Sequence, residues 1–87
     1  MKNFNVSYNI SVETDMTFID LKVNGAGHDL LKKLVARIDN YYDANGLSTI
    51  EIVGDTIEMS FVNENSPRDV VASVKDYVAF VLDNITR

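Results

Sequence analysis

The sequence predicts an α+β fold: a four-stranded antiparallel sheet with two helices on one face, built as two ββα halves. Two hairpin patterns, each followed by a helical pattern, are the basis of this prediction. The 87-residue chain is short enough to form one domain over residues 1–87, with pseudo-repeat halves at about 1–46 and 47–87. The order of the strands within the sheet does not follow from these patterns.

The first hairpin is indicated by regular alternation of apolar and polar residues. Residues 4–13 alternate strictly, which is typical of a half-buried strand, and a second strand follows over residues 16–24 after a turn at Thr14-Asp15. A two-residue turn at that position brings the apolar residues of the two strands together. The predicted pairs are Val12 with Thr17, Ile10 with Ile19, Tyr8 with Leu21, and Val6 with Val23.

The first helix is predicted after Gly25-Ala26-Gly27. We expect His28 or Asp29 to cap its start and Asn45-Gly46 to end it. Its apolar residues project onto a single arc of a helical wheel. This arc contains Leu30, Leu31, Leu34, Val35, Ile38, Tyr41 and Tyr42.

The second half repeats this plan. Strands are predicted at residues 48–53 and 56–63 with a turn at Gly54-Asp55, and a helix from Ser66-Pro67 to about Ile85. The second strand of each half ends in Val-Asn, which makes the halves weakly similar to each other. The predicted pairs are Ile52 with Ile57 and Ile50 with Met59, with Phe61 on the same face.

The sheet face away from the helices carries an unusual set of side chains. Glu51 and Glu58 are predicted to lie directly opposite each other, and apolar residues including Met16 occur where alternation predicts solvent. These features are either ordinary surface variation or a face that binds a partner and selects a basic one. The predicted partner-binding residues are Phe18, Asp20, Glu51, Glu58, Val53 and Val62.

Phe80 falls outside the apolar arc of the last helix. Either a loop or the other helix covers its ring, or the ring contacts a second subunit. Phe80 is therefore the predicted self-association residue.

Composition argues against several classes of function. Thirteen acidic and eight basic residues give a net charge of −5, which disfavours direct nucleic-acid binding. The absence of cysteine removes disulfides and thiol chemistry, and with no signal-like or membrane-spanning run we expect a cytoplasmic protein. His28 is the only histidine and belongs to no catalytic motif, so we expect no enzyme activity, cofactor or metal.

The leading interpretation is a small acidic, noncatalytic protein-binding module. Its expected partner is a protein with a basic surface, and it would act as an inhibitor, an antitoxin or a blocker of the kind that phages and mobile elements encode. One alternative is a homo-oligomeric assembly protein, such as a homodimer. Another is a weak nucleic-acid mimic that uses Glu13, Asp20, Glu51 and Glu58.

Overall fold

The predicted α+β architecture is confirmed in the computed structural model, which describes residues 4–64 and 66–85. Each hairpin is followed by a helix, in the order ββαββα. The elements are β1 (Asn5–Val12), β2 (Met16–Asn24), α1 (His28–Tyr42), β3 (Leu47–Val53), β4 (Thr56–Val62) and α2 (Pro67–Ile85).

The four strands form one antiparallel sheet in the order β1-β2-β4-β3. The second strands of the two hairpins therefore pair with each other at the centre, and β1 and β3 form the edges. Because β2 and β3 are both antiparallel to β4, they run in the same direction, and α1 connects them across β4. The same arrangement results from a circular permutation of the β-α-β-β-α-β order that moves its last strand to the front.

The predicted strand register is confirmed in both hairpins. All four pairs expected for the first hairpin are present. In the second hairpin Ile52 faces Ile57 and Ile50 faces Met59, and the register shifts only between Leu47 and Thr49.

The core lies between one face of the sheet and the two helices. The odd-numbered residues of β2 and β4 point into it, as alternation predicts. The inward residues of edge strand β1 are only half-buried, and Val12 is exposed, contrary to its place in the predicted inward set. Val12 ends β1 beside the turn and does not pack against the core. The buried apolar residues are Ile19, Leu21, Val23, Leu31, Leu34, Ile38, Tyr42, Ile57, Met59, Phe61, Val74, Val78, Val81 and Leu82.

The ends of α1 differ in how well they were predicted. The N-cap residue is Gly27, without a side-chain cap, so the expectation that His28 or Asp29 caps the helix is wrong. Both residues lie inside the first turn, where their backbone is already helical. At the other end α1 stops at Tyr42 with Asp43 as a C-cap of helical conformation, so the left-handed Gly46, with a φ of +90°, follows the helix end and does not cap it. The Asn45 side chain does donate to the carbonyl oxygen of Tyr41, at 3.0 Å.

The two ββα halves are related by an offset of 40 residues, which takes Thr14-Asp15 to Gly54-Asp55. The matching Val-Asn endings of β2 and β4 imply an offset of 39, which is wrong because it pairs buried Val23 with exposed Val62. An even offset is required since successive strand residues face opposite sides. The offset of 40 also superposes the buried helix positions Leu34, Ile38 and Tyr42 on Val74, Val78 and Leu82.

Tyr8 makes the folded state sensitive to alkaline pH. Its ring lies 5.3 Å from Nζ of Lys75, and burial together with the Asp76 carboxylate raises the pKa of Tyr8 to about 12. An unfolded tyrosine titrates near 10, so the unfolded chain loses this proton first and folding stability falls from pH 10 to 12. Urea unfolding across this range should show a shallower fall for Tyr8→Phe. Some slope should remain because burial also raises the pKa of Tyr42. An unchanged slope would contradict the assignment to Tyr8.

Candidate functional site

Three carboxylates lie in one line across the open face of the sheet. Asp20 on β2 pairs with Glu58 on β4, which pairs with Glu51 on β3. The Cβ atoms of directly opposite residues are about 4.5–5.5 Å apart, so the line is roughly 10 Å long. The predicted pairing of Glu51 with Glu58 is confirmed, and the central β2–β4 pairing adds Asp20. We call these three residues the acidic row.

The acidic row has no internal counter-ion. The neighbouring Lys22 forms an ion pair with Asp55 of the second hairpin turn, with 3.5 Å between Nζ and Oδ2. Across residues 4–64 and 66–85, no basic side chain lies within ion-pair distance of the row. Like charges placed opposite each other on a sheet destabilise it by about 0.2–1 kcal/mol per pair. The repulsion among the three carboxylates therefore lowers the stability of the sheet, and no ion pair within the described residues offsets it.

An apolar patch lies beside the acidic row. Met16 and Val62 face each other at the end of the β2–β4 pair, and Phe18 is the next outward residue of β2. Phe18 is 38% exposed and Val62 is 42% exposed. Outward residues follow at intervals of roughly 7 Å along a strand, so Phe18 is within one such interval of the acidic row. We call Met16, Phe18 and Val62 the apolar end.

The structure divides the predicted partner-binding residues into two places. It brings Phe18 and Val62 close to the acidic row, but Val53 faces Thr56 beside the second hairpin turn. Val62 lies six residue steps beyond Thr56 along β4, which amounts to about 20 Å. Val53 therefore does not belong to the apolar end. The outward parity of β2 identified Met16 as an apolar residue of the open face, but Met16 was not among the predicted partner-binding residues.

One side-chain hydrogen bond joins β3 and β4 next to the acidic row. The hydroxyl groups of Thr49 and Ser60 are within hydrogen-bond distance across β3 and β4. Ser60 is buried, although it belongs to the open face, with Phe18 and Thr49 as its cross-strand neighbours.

On the other side of the acidic row a shallow polar cleft opens, lined by Ser7, Tyr8, Asn9, Asp20, Lys22, Thr56 and Glu58.

A second surface lies on the helical layer, on the other side of the molecule. The rings of Tyr41 and Tyr77 stack with centroids 4.2 Å apart, and Phe80 lies 6.4 Å from Tyr77. Phe80 is 62% exposed, so neither a loop nor the other helix covers it. Tyr41 is 51% exposed, which corrects its predicted place in the buried arc, whereas Tyr42 is buried. We call Tyr41, Tyr77 and Phe80 the aromatic cluster.

Polar contacts anchor the aromatic cluster between the helices. The Tyr77 hydroxyl donates to the carbonyl oxygen of Arg37 at 3.3 Å, and the hydroxyl groups of Tyr42 and Ser73 are 2.7 Å apart. These contacts link α1 to α2 and leave a shallow cleft above the cluster. The cleft is lined by Tyr41, Ser73, Asp76, Tyr77 and Phe80.

His28 is exposed at the start of α1. Nowhere in residues 4–64 and 66–85 do three histidine, aspartate or glutamate side chains come together in a way that could hold a metal ion. Neither described helix has the length and apolar character needed to cross a membrane.

No family model, curated protein or solved structure matches this chain. The acidic row with the apolar end, and the aromatic cluster, are therefore the two surfaces from which a function can be argued.

Proposed function

We propose that the protein is a noncatalytic binding module whose open sheet face docks a protein partner with a basic surface. The observation that supports this proposal is the acidic row, three carboxylates without internal counter-ions next to exposed apolar side chains. Lysine or arginine side chains of a partner would relieve the repulsion within the row. Apolar side chains of the same partner would cover Phe18 and Val62 and exclude water around the ion pairs.

The spacing of the row favours one kind of partner surface. Neighbouring carboxylates are separated by about one strand spacing, roughly 4.8 Å. Residues at i and i+4 on a helix have Cβ atoms about 5–6 Å apart, which matches this spacing. We therefore expect a partner helix that crosses the strands, with its basic residues on the acidic row and an apolar residue on the apolar end. A nucleic-acid-binding protein offers such helices, so an inhibitor or blocker of one fits this face.

A peptide selection can test the proposal before any partner has been identified. Peptides selected from a displayed library against the immobilised protein should carry lysine or arginine at helical spacing with an apolar residue nearby. Their amide chemical-shift footprint should fall on Phe18, Asp20 and Glu58. Higher salt should weaken their binding, because exposed charge pairs are screened.

Glu58→Lys is the decisive variant. It places a cation between Asp20 and Glu51, so it should stabilise the fold by some tenths of a kcal/mol or more. The same change should weaken binding of the selected basic peptides by about tenfold or more. If Glu58→Lys stabilises the fold and weakens binding, the loss of binding is caused by the changed surface and not by unfolding.

Asp39→Lys is the matched control for this variant. Asp39 is exposed on α1, away from the open face, and the substitution changes the net charge by the same amount. Binding should stay within about threefold of the wild type, since the change is remote from the row. Equal losses in Glu58→Lys and Asp39→Lys, or a footprint on the helical layer, would refute the proposal.

A further inference from the structure

The aromatic cluster has the composition of a protein interface. Tyrosine, phenylalanine and arginine are enriched at interface centres, and Tyr41, Phe80 and Arg37 occur together here with exposed side chains. The molecule measures 38 × 22 × 19 Å between Cα atoms. The rectangle that bounds a face containing the long axis has an area of roughly 700–850 Å², so such a face is large enough for the roughly 800 Å² that each partner buries in a standard interface.

The two helices present opposite charges beside the aromatic cluster. Lys33, Arg37 and Tyr41 follow each other at four-residue intervals, so they form one stripe of α1. The hydrogen bond from Tyr77 to the Arg37 carbonyl oxygen places this stripe on the side of α1 that faces α2.

On α2, the exposed Asp76 lines the cleft above the cluster. Asp69 lies two turns earlier on the same side and, together with Tyr41, lines a neighbouring cleft between the helices. The basic residue Lys75 is on the far side of α2, above Tyr8 on β1. The groove side of α1 is therefore basic and that of α2 is acidic.

We infer that the helical layer forms a homodimer, in which Arg37 of each copy faces Asp76 of the other and the aromatic clusters pack together. The helices are antiparallel, because each follows one of the two antiparallel central strands. A twofold axis along the helix pair places α1 of one copy over α2 of the other at the same level. Arg37 of each copy then faces Asp76 of the other, which gives two contacts. The two residues lie at the same height along the helices, because Tyr77, which follows Asp76, contacts Arg37.

The charges also exclude the competing twofold arrangement. An axis at right angles to the helices would place α1 over α1 and α2 over α2, so that like charges would face each other. Two like-charge contacts would oppose that association. In the preferred dimer the open sheet faces point away from each other, so each copy keeps its acidic row accessible.

Sedimentation equilibrium of the purified full chain tests the dimer. The wild type should associate with a dissociation constant below about 1 mM, the weak end of specific association. Arg37→Asp should weaken this association by about 100-fold, because two attractive contacts become repulsive. The Arg37→Asp/Asp76→Arg double variant should restore it to within about tenfold of the wild type, because the pair is re-formed with its charges exchanged.

Lys32→Asp provides the control, since Lys32 is exposed on α1 outside the groove-side stripe and the charge change is the same. It should leave the association within about threefold of the wild type. Circular dichroism of dilute samples should show the same helix content in all variants. A monomeric wild type at about 1 mM, or a double variant that stays monomeric, overturns the inference.

Discussion

Replacing Phe61 by alanine is expected to remove about 3–5 kcal/mol of folding free energy. Phe61 is fully buried on central strand β4, and its ring meets that of Tyr42 edge-on at 5.4 Å. The substitution leaves a cavity between the sheet and α1 and removes this aromatic contact. A domain of this size is stable by only about 4–13 kcal/mol, so the loss is a large fraction of the total stability. Urea denaturation followed by circular dichroism measures the loss.

Phe18→Ala is the matched control for the Phe61 substitution. Phe18 lies one residue from Phe61's cross-strand partner Thr17, but it faces the open side and is partly exposed. Its loss should cost less than about 1.5 kcal/mol, because less area returns to water and no closed cavity forms. Similar losses for both variants would mean that the helices do not seal the core over β4.

The second large effect is expected from Asn63→Ala, at about 2–3 kcal/mol. The Asn63 side chain accepts a hydrogen bond from the buried Thr17 hydroxyl at 2.6 Å and donates to the Glu13 carbonyl oxygen at 2.9 Å. Its backbone NH donates to the carbonyl oxygen of Asp15, so Asn63 connects the first hairpin turn to the end of β4. Alanine removes the side-chain bonds and leaves the Thr17 hydroxyl buried without a partner.

A double-mutant cycle identifies the cause of that loss. Thr17→Val keeps the shape of the side chain and removes its donor, so it should cost less than about 1 kcal/mol. In the Thr17→Val background, Asn63→Ala should then cost about 1–2 kcal/mol less than it does alone. Additive losses would assign the role of Asn63 to its turn contacts. Chemical denaturation of the four proteins provides the measurement.

The strand register could be predicted because two constraints agree within each hairpin. Alternation decides which residues face inward, and a two-residue turn leaves only one alignment that pairs the inward sets. The central β2–β4 pairing has no such turn, because α1 and β3 intervene. One available signal was the outward set of β1, which is polar throughout from Asn5 to Ser11, as is typical of an edge strand.

The candidate surfaces, like the sheet, could be predicted within each hairpin but not across the central β2–β4 pair. The pairing of Glu51 with Glu58 follows from one hairpin, but the position of Asp20 beside them depends on the central pairing. Tyr41 was misplaced because it lies at the edge of the apolar arc, and its ring stacks on Tyr77 of α2 outside the core, whereas Tyr42 is buried. Once Tyr41 is exposed, Phe80 becomes part of a cluster, which the sequence of α2 alone could not indicate.

The central β2–β4 pairing has a consequence for the newly synthesised chain. β2 ends at Asn24, but the strand that covers its inner edge is completed only at Val62. At a synthesis rate of about 5–20 residues per second, the ribosome needs roughly 2–8 s to add that segment. Throughout this interval the first hairpin lacks its neighbour, and an edge that lies at the centre of the mature sheet is open to pairing with another nascent chain.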